Sequence, residues 1–238
     1  MRRAILGAVA ILGACTASSG SDRHEARPTA QRSFEVAGFD SIELTGSHDV
    51  VVSVGAAPSV RAEGDAEALQ LLEVEVEGGR LRIGSRNRGG WSWAGSAGRV
   101  TVHVTVPSLR EAAVAGSGDV RIDRVEGPSF LAAIDGSGDL EVQTLRVEQA
   151  TFSIAGSGNV RAAGAAGRAA ISVAGSGDLD LTGLDTRAAE VRVMGAGDAQ
   201  VRATQSASVT LMGSGDVTVT GGARCSIEKH GSGDVRCG

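Results

Sequence analysis

The sequence predicts an all-β fold: a parallel β-helix, or β-solenoid, with coils of roughly 20 residues and a strand-rich region before them. Three observations predict it. A Gly-Ser-Gly-Asp core, or a close variant, begins at Gly116, Gly136, Gly156, Gly175, Gly195, Gly213 and Gly231, in steps of 20, 20, 19, 20, 18 and 18 residues. Around each core the apolar residues keep one parity, as in Val114, Val120 and Ile122 or Ile154, Val160 and Ala162. That is the period of an extended chain, and it excludes a helix. Composition agrees: 35 Gly, 4 Pro and no Tyr suit tight corners and a core of small and β-branched side chains.

A repeat of this kind buries its apolar face only against its neighbours. Twenty extended residues trace roughly 66 Å at about 3.3 Å each, enough for two or three short strands joined by corners. Both glycines of the core fall on the apolar parity, which points to a corner or a backbone approach too close for a Cβ.

Taken in order, residues 1–14 read as a secretory leader, with Arg2 and Arg3 before the apolar run Ala4 to Leu12. Leu12-Gly13-Ala14-Cys15 resembles the lipobox of bacterial lipoproteins. That resemblance implies cleavage before Cys15, acylation of its sulfur and amine by palmitate-type chains, and a membrane partner reached through this anchor. Thr16, rather than an Asp, follows the Cys, which implies the outer membrane of a Gram-negative cell. The alternative is an ordinary signal peptide with Cys15 incidental. Loss of Arg2 and Arg3 would take the formal net charge from −5 to −7, which disfavours nucleic acid as a partner. Residues 15–32 are polar and aperiodic, and read as a flexible tether.

Residues 33–107 form the expected N-terminal β region. Phe34, Val36, Phe39, Ile42 and Leu44 open it, and Gly46-Ser47-His48-Asp49-Val50 is a degenerate copy of the core. The solenoid therefore starts here and is interrupted before Gly116. Asp65 to Leu72 suits a short helix. Leu72 to Glu77 and Arg80 to Ile83 alternate around Gly78-Gly79, a hairpin pattern. Arg86 to Arg99 is a Gly- and Ser-rich loop, and Val100 to Val106 is a regular strand ended by Pro107. Residues 108–238 are the repeat solenoid proper. In its last copy Lys229 takes a site that is apolar elsewhere.

These segments together carry a family resemblance. The stretches F-x-x-I-x-L-x-G-S-x-D-V at 39–50, L-E-V-E-V-E-G-G-R-L-R-I at 72–83 and V-x-V-x-V-P-x-L at 102–109, followed by the Gly-Ser-Gly-Asp repeats, look like the bacterial family described as putative auto-transporter adhesin, head GIN domain. The resemblance covers about residues 33–238 and implies a β-helical fold, a cell-envelope location and an adhesive or ligand-binding role. It brings no catalytic residues.

Candidate sites follow from residue type and position. Asp119, Asp139, Asn159, Asp178, Asp198, Asp216 and Asp234 stack into one outer file, beside a file of Ser117, Ser137, Ser157, Ser176, Ser214 and Ser232. Carboxylates about 4.8 Å apart repel, so each needs a partner. A turn N–H is the expected one. Bound Ca²⁺ is the alternative; against it, Asn159 lacks the charge and the nine-residue Ca²⁺ repeat is absent. Ala196 in place of Ser shows that hydroxyl to be dispensable.

Cys225 and Cys237 would lie in an oxidising compartment, where a disulfide is expected, two buried thiols being the alternative. Trp91 and Trp93, flanked by Arg86 and Arg88, could contact an envelope glycan or protein; otherwise they fold back over the solenoid. His24, His48, His103 and His230 show no metal-ligand spacing, so no metal or cofactor is expected.

The reading is a non-catalytic envelope lipoprotein that adheres or binds a ligand. A structural or envelope-stress-related lipoprotein is the first alternative, and a polysaccharide-active enzyme on a β-helix the second. The acids are equivalent members of a ladder, and no G-x-S-x-G elbow appears, so no enzyme is expected.

Overall fold

The structure, a computed structural model, describes residues 29–86 and 98–238. It is a parallel β-solenoid of about six turns. From Gly116 onward each coil is one long strand followed by a corner: β9 (Val120–Gly136), β10 (Leu140–Gly156), β11 (Val160–Gly175), β12 (Leu179–Gly195) and β13 (Ala199–Gly213) pair in parallel with their neighbours. The expected two or three short strands survive as sides of a continuous strand, because inter-coil hydrogen bonding carries through the bends. The bends show in the buried set. In β10 it runs Leu140, Val142, then Leu145, Val147, then Ala150, Phe152 and Ile154, so the phase slips by one residue twice. Register shifts at Val142/Leu145, Arg161/Gly164 and Leu181/Asp185 mark the first bend, where coils of different length are reconciled.

The core is a stack of such sets. Large and small side chains exchange between coils: Phe130 stands beside Ala150, and Ala132 beside Phe152. Volume is thereby conserved across the pair, as close packing requires. Thr186, in a file otherwise apolar at Val147 and Ala166, is buried; its hydroxyl donates to the Arg202 carbonyl at 2.7 Å, which removes the desolvation penalty.

The interrupted start is resolved by topology. β2 (Ser41–Gly46) and β3 (Asp49–Val54) lie directly beneath β8 (Glu111–Gly116) and the start of β9, with Gly46 opposite Gly116. Residues between them in sequence move to the far side of that first coil. β6 (Arg80–Ser85) pairs in parallel with β2, and β7 (Val100–Val106) with β3, making one further coil. Beyond it the direction reverses: β5 (Leu72–Glu77) is antiparallel to β6, β4 (Ser59–Asp65) to β7, and β1 (Thr29–Phe34) to β4. β1 begins inside the segment read as a tether, because its backbone finds a partner in β4, something its own sequence does not announce.

Helix α1 (Ala66–Leu71) joins β4 to β5. The Asp65 carboxylate caps it, accepting from the N–H groups of Glu67 at 2.9 Å and Ala68 at 3.2 Å. It turns Ala68 and Leu69 inward at the N-terminal end of the core. The other end is β15 (Arg224–Gly231), β14 (Val217–Thr220) and β16 (Val235–Cys237), stacked on β13 and on each other. No helix among the described residues is long and apolar enough to cross a membrane.

Candidate functional site

The corner explains its own sequence. Its first Gly has φ between +132° and +149° in every copy from Gly116 to Gly231, apart from the same geometry at Gly46 with φ +117°. Such a backbone strongly favours Gly. A Cβ on the second Gly, as at Gly138, would overlap the carbonyl oxygen of Gly118 one coil below. Between them the chain makes a forked bond: the N–H groups of Ser137 and Gly138 both donate to the Gly116 carbonyl, at 2.8 and 3.1 Å. Ala196 makes the same bond through its own N–H to Gly175, which needs no hydroxyl.

One N–H per corner is left without a backbone acceptor, that of the Asp residue. It donates to the side chain of the equivalent Asp one coil earlier. The bonds Asp139 to Asp119, Asn159 to Asp139, Asp178 to Asn159, Asp198 to Asp178, Asp216 to Asp198 and Asp234 to Asp216 measure 2.8–3.1 Å. The donor sits in the neighbouring coil rather than in the same turn. Asn159 fits because its Oδ1 still accepts, while its Nδ2 donates to Asp139 at 3.0 Å. Asp119, Asp139, Asp178, Asp198 and Asp216 each use one carboxylate oxygen in this ladder, which leaves the other as an acceptor, while Asp234 at its end pairs with Lys229 and Arg236.

A second outward row lies two residues on. Arg121, Glu141, Arg161 and Asp180 stand beside the Asp file, with Arg121 paired to Glu141 at 3.7 Å and Arg161 to Asp180 at 3.2 Å. Asp180 is held below the usual carboxylate range, chiefly by the Thr182 hydroxyl that donates to it at 2.6 Å, with help from the Thr182 N–H and Arg161 against the cost of burial. The two rows wall a groove of about 380 Å³ that crosses four coils, from Asp119 to Asp178, over the backbone of Val120, Leu140 and Val160. Sequence reading found one wall only. The other was detectable, since Asp plus two keeps the same outward parity.

The remaining expected residues are placed as follows. Cys225 and Cys237 are joined in a disulfide, opposite Ala207 and Val219 of the preceding coil. Arg86 lies on the N-terminal coil and reaches Glu73 at 3.4 Å. Cys15, Arg88, Trp91 and Trp93 lie outside the described residues. His48 is buried and shares a 2.7 Å hydrogen bond with the Ser85 hydroxyl; burial pushes its pKa down, partly opposed by Asp49. His103 and His230 are exposed beside Glu63 and Glu228. Among the described residues no group of three or more His, Cys, Asp or Glu is placed to hold a metal ion.

Corner, coil and cap define a class of protein, the small-residue β-solenoid with an antiparallel N-terminal closure. Residues 38–223 match the family described as putative auto-transporter adhesin, head GIN domain, and the chain belongs to that family. Solved structures share the fold. A putative adhesin from Bacteroides fragilis superposes with a TM-score of 0.80 at 21% identity, over 88% of this chain and 97% of that one. A putative lipid binding protein from Parabacteroides distasonis gives 0.69 at 23% identity, over 90% and 98%. A putative adhesin from Parabacteroides merdae gives 0.66 at 17%, over 90% and 97%. No curated protein matches the sequence.

Proposed function

We propose that the chain is a non-catalytic, adhesin-like module of the bacterial cell envelope, held to the membrane by acylation of Cys15 and presenting the flank of its solenoid to a partner. One observation carries this reading: the polar chemistry recurs at equivalent positions from coil to coil. A display surface repeats in this way, whereas a catalytic centre places a few groups in contrasting environments. Family membership and an envelope-type leader support it.

The test has two arms. Beads coated with the full chain should be retained on bacterial envelope preparations or immobilised glycans, and retention no better than on uncoated beads would refute adhesion. Labelled palmitate should enter the wild-type chain in cells and not Cys15→Ala. Release of new reducing ends from a polysaccharide by the purified chain would replace this reading with the enzymatic one.

A further inference from the structure

We propose that the groove between the Asp file and the Arg121–Asp180 row binds an extended, uncharged, hydroxyl-rich polysaccharide laid along the solenoid axis, one sugar to a coil. This rests on the adhesive reading above and names its ligand. The groove is an amphoteric channel, not an acidic patch: guanidinium groups of Arg121 and Arg161 alternate with the carboxylates of Glu141 and Asp180 along one wall. Facing them, Asp119, Asp139 and Asp178 each commit one oxygen to the ladder and leave the second as an acceptor. Free acceptors thus stand on every coil of the groove but that of Asn159, and guanidinium groups on every second one.

That step selects the ligand. Coils repeat at about 4.8 Å, the spacing of paired strands, whereas same-face side chains of an extended peptide advance about 6.7 Å. A peptide would fall out of register within two coils. Successive sugars of an extended β-1,4-linked chain advance by nearly the coil step and turn over at each link, so alternate sugars present the same face every second coil, the interval at which the guanidinium groups of the second row recur. Charge narrows the choice. Carboxylates outnumber guanidinium groups in the groove, and both arginines already have acidic partners, so a polyanionic chain is repelled. Hydroxyl groups satisfy the free carboxylate oxygens by donating to them. Length is also set: beyond Asp180 the second row continues as Gln200 and Thr218, which carry no charge, and the groove ends.

Nature has supplied the conservative variant. Asn159 shows that an amide keeps the inter-coil bond while removing the free carboxylate oxygen. The experiment is therefore calorimetric titration of the full chain with neutral β-1,4-linked glucose and N-acetylglucosamine oligosaccharides of increasing length. Affinity should climb with length until the chain spans the four coils of the groove, then level off. Asp139→Asn with Asp178→Asn should weaken binding about tenfold or more with an unchanged melting temperature, while Asp216→Asn, outside the groove, should bind as wild type does. Length-independent affinity, equal binding by the double variant, binding by no oligosaccharide, or preference for oligolysine would overturn the proposal. If coated beads still adhere but the double variant adheres equally, the groove assignment falls and adhesion stands; if no bead adheres, adhesion itself falls.

Discussion

The two ends of the solenoid face the same physical problem and solve it differently. A stack of parallel coils exposes, at each end, a cross-section of apolar core and a row of unpaired backbone groups, both of which invite association. At the N-terminal end the chain reverses direction, so β5, β4 and β1 pair antiparallel and α1 places Ala68 and Leu69 over the core. Leu69 is 4% exposed there. At the C-terminal end nothing covers β15 and β16 among the described residues. Ile227 is 47% exposed, the Cys225–Cys237 disulfide spans the last coil, and Lys229 replaces the Leu211 of the coil before. One end is closed by packing, the other by a covalent link and a charge. The lesson is that a repeat fold needs its exceptions as much as its repeats.

The sharpest break in that comparison is a pair of truncations. Leu69→Ala should destabilise by about 2–5 kcal/mol, as for a buried leucine, whereas Ile227→Ala should cost only about 1 kcal/mol because nearly half of its surface is already in water. Equal losses in chemical denaturation would show that the two ends are not closed differently. Next in size is the disulfide. Cys225→Ser with Cys237→Ser should cost about 2–4 kcal/mol, the usual range for a link of this kind. Hydrogen exchange should localise the loss to β15 and β16; a loss spread through β9 to β12 would contradict the staple.

Lys229→Leu tests protection by charge. The Lys229 ammonium, exposed at the register position of Leu211 and 3.8 Å from Asp234, should be what keeps the open edge from pairing. The variant should be equally or more stable but should self-associate in sedimentation at concentrations where the wild type does not. Unchanged sedimentation would mean the disulfide alone suffices.

The smallest effect is expected from His48. Its folded pKa lies below the ordinary 6.5, so in acid the unfolded chain binds the proton more readily than the native one. Stability contributed by the neutral ring is therefore fully present above about pH 6.5 and falls as pH drops below it toward the folded value. His48→Gln should flatten the stability profile between pH 7 and 5, and an unchanged slope would assign that dependence elsewhere.

Much of this was readable residue by residue. The Gly-Ser-Gly-Asp period gave coils and register, and the degenerate copy at Gly46 marked the true first coil, because a backbone that approaches its neighbour this closely tolerates few residues. α1, the β5–β6 hairpin and β7 were also visible, each from purely local pattern and turn chemistry. β1 was not, since Thr29 to Phe34 has no alternation of its own and is a strand only because β4 offers it an edge.

The sequence by itself determined the repeat, the inward set and the file of carboxylates, because these depend on parity and on sterics within a few residues. Tertiary structure alone decided that residues 80–106 form a coil outside the first one, that the Asp N–H reaches across to the preceding coil, and that Arg121 to Asp180 rise opposite the Asp file as a second wall. Those outcomes depend on which segments become neighbours in space, and that is settled by stacking between coils rather than by any one stretch of chain.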